Sequence, residues 1–214
     1  MVSAPKGLLV AGFNYSKLDA GEFNDWYDTE HVPERQRTPG FINCVRWVGV
    51  EDDKISIATY DLQSRDVLYS EAYKAIARDN LSPWSKRMVG KAQRLLRIEA
   101  DQLIPSDEVS RLTTQNLMIF ACNVKPEMQA EVKKWYGEEH IPRLLKVPGV
   151  VSARFFESQA GTHKFIALYE IEKAETCASD AWKEAALTPW TNKMRPHLND
   201  VLRVVLRRYQ RSAA

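Results

Sequence analysis

Residues 26–40 read WYDTEHVPERQRTPG, and residues 135–149 read WYGEEHIPRLLKVPG. Trp26, Tyr27, Glu30, His31, Pro33 and Pro39-Gly40 match Trp135, Tyr136, Glu139, His140, Pro142 and Pro148-Gly149 at one offset of 109 residues (135 − 26). Coincidence does not produce that many matching aromatic, His, Pro and Gly positions, so the chain is an internal duplication. The repeat extends to both sides of this stretch. Upstream, LLVAGFNY (8–15) and LMIFACNV (117–124) share the offset and read as buried strands. Downstream, FINCVRWVGV (41–50) and KISIATYDL (54–62) answer to VVSARFFES (150–158) and HKFIALYEI (163–171) as two more strands per half, and Gly161 suits the second hairpin.

A helical segment follows, SRDVLYSEAYKAIARD in the first half and CASDAWKEAA in the second. Then a second signature recurs, LSPWSKRM (81–88) and LTPWTNKM (187–194), with Ser82 and Thr188 placed as N-caps before a Pro at the first helical position. AQRLLRIEA and DVLRVVLRR close the halves as strands. Each half is thus β-α-β-β-α-β, the split-βαβ, ferredoxin-like order. A sheet with helices on one side leaves its other face apolar. The expected architecture is therefore α+β: two tandem repeats whose antiparallel sheets pack face to face as a pseudo-dimeric α/β barrel. The expected boundaries are 1–100 for the first repeat, 101–114 for a polar linker, and 115–214 for the second.

The 214 residues are 44% hydrophobic with six Trp, enough for a packed core. The net charge of +2 comes from interspersed signs, which argues against a nucleic-acid surface or a polybasic membrane patch. Three cysteines without CxxC spacing argue against a disulfide framework or a zinc site. No apolar run approaches the ~20 residues of a membrane span, and the N-terminus lacks a signal-peptide pattern, so a cytoplasmic protein is expected.

Phe23, Tyr27 and His31, like Val132, Tyr136 and His140, lie at i, i+4, i+8 on a helix, so both histidines project toward whatever that helix packs on. Pro33 and Pro142 are expected to end or kink the helix, which leaves a capping role for each His beside a chemical one. Asp28, one turn before His31, is placed to orient its ring. Arg46 and Arg154 each precede an aromatic in a strand, and either face solvent or a polar pocket. Asn14 and Asn123 end matching strands, where they bond a loop or meet a ligand. Trp26, Trp84, Trp135 and Trp190 are core residues or walls for a flat ligand.

Through both copies of W-Y-x-x-E-H-x-P…P-G, the chain resembles the dimeric α/β-barrel superfamily in a fused, two-repeat form, and is similar to its EthD-like branch. Members include cofactor-free cyclases, muconolactone-type isomerases, small decarboxylases and lyases, quinol monooxygenases and haem-binding proteins. The resemblance implies a ligand cleft between the helices and the sheet of each half, with His and Tyr as acid and base. The expected activity is a cofactor-independent lyase, first a decarboxylase of an aromatic or polyketide-like carboxylic acid as in aromatic compound catabolism. His31, His140, Tyr60 and Tyr169 would be catalytic. Arg46 or Arg154 would hold the carboxylate, with Asn14, Asn123, Trp26, Trp84, Trp135 and Trp190 lining the site. No metal or other cofactor is expected. The alternatives are a cyclase or isomerase of the same fold, a haem protein with either His as axial ligand, and a non-catalytic ligand-binding stress protein. No nucleic-acid or membrane partner is expected, and the pseudo-dimer could pair further as a homodimer. Hydrolase and nucleotide motifs are absent from the sequence.

Overall fold

The computed structural model describes residues 5–211. The first repeat supplies β1 (Gly7–Asn14), β2 (Phe41–Gly49), β3 (Ile55–Leu62) and β4 (Gln93–Ile104); the second supplies β5 (Asn116–Val124), β6 (Val150–Gly161), β7 (Phe165–Ile171) and β8 (Leu198–Arg208). Their order is β1-β3-β2-β8-β5-β7-β6-β4, and β4 pairs back onto β1, so the eight strands close into a barrel. Every pairing is antiparallel. Each repeat contributes a four-stranded sheet, β4-β1-β3-β2 or β8-β5-β7-β6, and the two sheets face each other across one interior. Closure leaves no free sheet edge to template unwanted pairing. The seams are unequal. At one, only Trp47, Val48 and Gly49 face Arg208, Arg207 and Leu206; at the other, β4 and β6 pair from Ile98↔Gly161 to Ile104↔Phe155.

The strands read as continuous apolar runs because both of their faces are covered. In β1, Leu8 and Val10 join Ile119, Phe156 and Leu168 inside the barrel, whereas Leu9 and Phe13 pack outward under the first repeat's helices. The same alternation in β7 sends Ile166 and Leu168 inward, and Phe165, Ala167 and Tyr169 outward. Three cores result, one central and one beneath each helical layer. β4 continues to Ile104, so residues 101–104 of the expected linker are strand.

The helical layer of each repeat rests on the duplicated signatures. The first comprises α1 (Ala20–Trp26), a π-helical turn (Tyr27–His31) and α2 (Val32–Gln36) as one uninterrupted helical stretch. The second repeat copies it as α5 (Gln129–Trp135), a π turn (Tyr136–His140) and α6 (Ile141–Leu144), with labels α3 (Glu71–Lys74), α4 (Pro83–Lys91), α7 (Asp180–Ala186) and α8 (Pro189–Met194) for the other helices. Pro33 and Pro142 therefore do not end the helix. A proline clashes with the carbonyl four residues back; the wider π turn, closed by the Val32 and Ile141 amides onto the Tyr27 and Tyr136 carbonyls, precedes each Pro and accommodates it.

The two signatures meet in space. Glu30 accepts hydrogen bonds from Ser82 Oγ (2.6 Å) and Ser85 Oγ (2.9 Å), and Glu139 accepts one from Thr188 Oγ1 (2.5 Å). Ser82 and Thr188 in turn accept the Ser85 and Thr191 amides as N-caps. This is why Glu recurs in one motif and Ser/Thr-Pro in the other. Gly40 and Gly149 adopt φ of 91° and 86°, and a Cβ at Gly40 would lie inside the Val67 side chain. The Pro-Gly pair thus marks a turn open only to glycine. The segment after β3 is less helical than its sequence suggests: a 3₁₀ turn over Arg65–Tyr69 stops at Ser70, which caps the short α3.

Candidate functional site

Each repeat carries one cleft between its helices and the outer sheet face, and the duplicated histidine and tyrosine line it in both. His31 and Tyr60 line a cavity of about 130 Å³ in the first repeat. His140 and Tyr169 line one of about 520 Å³ in the second, together with Met118, Phe120, Trp135, Tyr136, Trp182, Leu187 and Thr191. The larger volume lies within the usual range for small-molecule pockets, ~300–1,000 Å³.

The electrostatics of the two histidines follow from burial. His31 is packed between Trp26 (centroids 4.4 Å apart) and Tyr27 (5.2 Å), and His140 between Trp135 (4.5 Å) and Tyr136 (5.0 Å). Neither Nδ1 has a hydrogen-bond partner among the described residues. Burial disfavours the imidazolium, lowering His140 to about 4; His31 is held well below its usual value by burial and by the nearby Arg35. Both rings are neutral at pH 7. They sit within the helical stretch and cap no helix end, and Asp28 orients neither. Asp28 instead receives Arg211 Nη1 (3.2 Å) and lies 3.8 Å from Arg46.

The tyrosines are as buried. Tyr60 and Tyr169 hydroxyls are buried and unpartnered among the described residues, and burial raises both well above the usual phenol range. Burial also pushes Tyr27 up to about 12, against the opposing pull of Arg46, and raises Tyr136, to which Tyr169 adds. All four are therefore hydrogen-bond donors, not phenolates, at neutral pH. In the second cavity Trp135 Nε1 is likewise buried without a partner, whereas Trp26 Nε1 donates to Ser85 Oγ at 2.9 Å. The site thus concentrates buried, unpartnered polar atoms behind apolar walls, which is unusual for a folded interior.

The arginines depart most from the sequence reading. Arg46 and Arg154 line neither cavity, and they are not equivalent. Cys44 pairs with Tyr60 where Ala153 pairs with Tyr169, so the counterpart of Arg46 is Phe155, and that of Arg154 is Val45. One residue of slip reverses the face. Arg46 points outward, 4.5 Å over the Tyr27 ring and 3.9 Å over Tyr209, and donates to Asn24 Oδ1 and Ser56 Oγ. Arg154 is buried and bonds Asp61 at 2.7 Å, with Glu170 at 4.0 Å. Both guanidinium groups are already engaged and cannot clamp a substrate carboxylate.

The asparagines serve their loops. Asn14 Oδ1 accepts the Ser16 amide, and Asn123 bonds Lys164 N, Thr162 O and Asp200 Oδ2. Trp26 and Trp84 pack into the first repeat's core, and Trp190 donates to Glu131 at 3.1 Å. Of the four expected tryptophans only Trp135 lines a cavity. Sequence reasoning missed Trp182, Met118 and Phe120. The last two were accessible through the period of two, since Leu117 and Ile119 face inward. It also missed the cations of the larger cavity, Lys183, Arg195 and Arg203, which lie on exposed helix and strand positions.

Among the described residues no Asp or Glu lines the larger cavity. Lys183 pairs with Asp180 and Arg203 donates to the Cys177 carbonyl, whereas the Arg195 side chain has no partner among the described residues. One substitution distinguishes the two interiors. Arg35 reaches the Ile76 carbonyl from within the first cavity. In the second repeat its position is Leu144, and Arg143 holds the equivalent Ala185 carbonyl from the exposed side, leaving the interior apolar.

Comparison with other proteins places the fold. A family described as a domain of unknown function (DUF4286) matches residues 117–202. No curated protein matches the chain. Among solved structures, a candidate monooxygenase from Fusobacterium nucleatum superposes with a TM-score of 0.63 at 13% identity, covering 98% of this chain and 94% of the other. An anthrone oxidase-like protein gives 0.66 at 9%, covering 96% and 92%. A chlorite dismutase variant from Candidatus Nitrospira defluvii gives 0.59 at 10%, covering 97% and 92%. The structural neighbours are ferredoxin-like dimeric α/β-barrel proteins, and the likeness extends over essentially the whole barrel.

Proposed function

We propose that the chain is a cofactor-independent enzyme of the EthD-like branch, and that its second-repeat cavity decarboxylates a hydroxylated aromatic or polyketide-like carboxylic acid. The observation that carries this reading is the lining of one largely apolar cavity by Tyr169, His140 and Trp135, whose Oη, Nδ1 and Nε1 are buried without partners among the described residues, with only cations among the charged residues that line it. Such walls suit a flat ring, and Arg195 suits its carboxylate.

The chemistry follows from the neutral imidazole. His140 takes the substrate hydroxyl proton and becomes an imidazolium whose low pKa makes it a strong acid. It returns that proton to the ring carbon bearing the carboxylate. The C–C bond then breaks, its electron pair re-forms the aromatic ring, CO₂ leaves, and the phenolate takes a proton from water. Tyr169 donates a hydrogen bond to the oxyanion while the charge lasts. A cyclisation or isomerisation by the same His/Tyr pair is the runner-up within this reading.

Haem, which the superfamily resemblance also brings in, meets an obstacle. A ligating histidine normally donates its second ring N–H to an acceptor that orients it. His140 and His31 have none at Nδ1 among the described residues, so these residues do not meet the requirement of an axial ligand and no step is routed through haem.

The test uses purified protein without added metal or cofactor, an absorption spectrum, and a panel of hydroxylated aromatic acids followed for CO₂ release. Turnover should fall roughly a hundredfold or more in His140→Ala and Tyr169→Phe, and persist in His31→Ala. A Soret band, or turnover that survives in His140→Ala, refutes the reading.

A further inference from the structure

We propose that the small cavity of the first repeat is a binding site for a small oxyanion of the carboxylate or phosphate class, held by Arg78 and Arg94 with Tyr60 and His31 as hydrogen-bond partners. Four arginines line this cavity, Arg35, Arg78, Arg94 and Arg97, and no Asp or Glu does. Two of the four are already neutralised: Arg35 pairs with Glu34 at 2.6 Å and Arg97 with Glu99 at 2.5 Å. Arg78 and Arg94 are not. Among the described residues their side chains have no hydrogen bond or ion pair, and their guanidinium groups rest only over the rings of Tyr69 (5.7 Å) and Phe13 (5.3 Å).

Two residues that line the same cavity carry buried polar atoms just behind its surface. Tyr60 is 1% exposed and His31 7% exposed, and Tyr60 Oη and His31 Nδ1 have no partner among the described residues. Partial desolvation of its guanidinium and the neighbouring Arg97 both disfavour the charged form of Arg94. An anion between them relieves that repulsion, and a guanidinium meets a planar or tetrahedral oxyanion with two parallel hydrogen bonds.

Size favours a small ligand: the volume of about 130 Å³ is a quarter of the larger cavity's 520 Å³, which suits acetate or inorganic phosphate better than the aromatic acid proposed for the larger cavity. The duplication has thus separated a small cationic site from a large apolar one. This inference does not depend on the reaction assigned to the second repeat.

The experiment titrates the full chain, labelled with ¹⁵N, with sodium acetate and separately with sodium phosphate at constant ionic strength, following the histidine side chains by NMR. His31 should shift saturably with at least one anion, independently of any shift at His140; the responding anion tells carboxylate from phosphate. Affinity should fall roughly tenfold or more in the Arg78→Gln/Arg94→Gln double variant and should be unchanged in Arg87→Gln, which lines neither cavity. Both substituted arginines are exposed, so a circular dichroism spectrum without anion controls for folding. Tyr60→Phe removes a donor without altering charge and should also weaken binding. No saturable shift of His31 with either anion, or equal affinity in the double variant, overturns the proposal.

Discussion

His140 makes the stability of this protein depend on pH in a direction that burial dictates. Its ordinary pKa of 6.5 falls to about 4 in the folded chain, because the ring is enclosed by Trp135 and Tyr136 and has no counter-charge. Between those two values the unfolded chain holds a proton that the folded chain lacks. Stability therefore rises with pH across this window, and is lost as pH falls from about 6.5 toward 4. At 1.36 kcal/mol per pH unit, the interval corresponds to about 3 kcal/mol, fully present above pH 6.5 and exhausted below pH 4. Urea denaturation at steps from pH 7.5 to 4 should show the decline, and His140→Asn should flatten it by about that amount relative to wild type. His31, shifted in the same direction, leaves a residual slope in that variant. A ¹⁵N titration provides the direct reading: His140 should remain neutral at pH 5.5. If it titrates near 6.5, or if His140→Asn retains the full slope, the burial account of this histidine is wrong, and so is the acid assigned to catalysis.

Glu30→Ala removes two side-chain hydrogen bonds to a carboxylate and Glu139→Ala one, so thermal denaturation should place the first about 3 and the second about 1.5 kcal/mol below wild type. Equal losses would refute the link between the duplicated motifs. Arg154→Met leaves Asp61 buried without its charge partner, for which a loss of about 3–5 kcal/mol is expected in chemical denaturation; Arg154→Met/Asp61→Leu should recover much of it. Ala186→Trp fills the second cavity from its wall and should abolish aromatic-acid binding in calorimetry, while the anion response at His31 is retained.

The placing of each His with a Tyr in one cleft came from the family resemblance, whereas the duplication, the split-βαβ order and the strands were legible in the sequence itself. They depend on local signals: apolar runs of strand length, an N-cap before Pro, a glycine where φ must be positive, and an offset that carries one repeat onto the other. Spacing along a helix also placed His31 and His140 on the inward face correctly. What only the tertiary structure decided is where adjacent strands put their side chains and which charges are already paired. Arg46 and Arg154 look alike in sequence because each precedes an aromatic, yet register sends one outward onto Tyr27 and Tyr209 and the other inward to Asp61. The π turn that keeps the helix unbroken through Pro33 and Pro142 has no sequence rule as simple as a cap. The clefts differ in their charged linings: Arg35, Arg78, Arg94 and Arg97 line the small one, and Leu144 stands in the second repeat where the first has Arg35. Secondary structure follows from preferences within a few residues, whereas a cavity is what remains after distant segments have packed, and its volume and charge belong to no single segment.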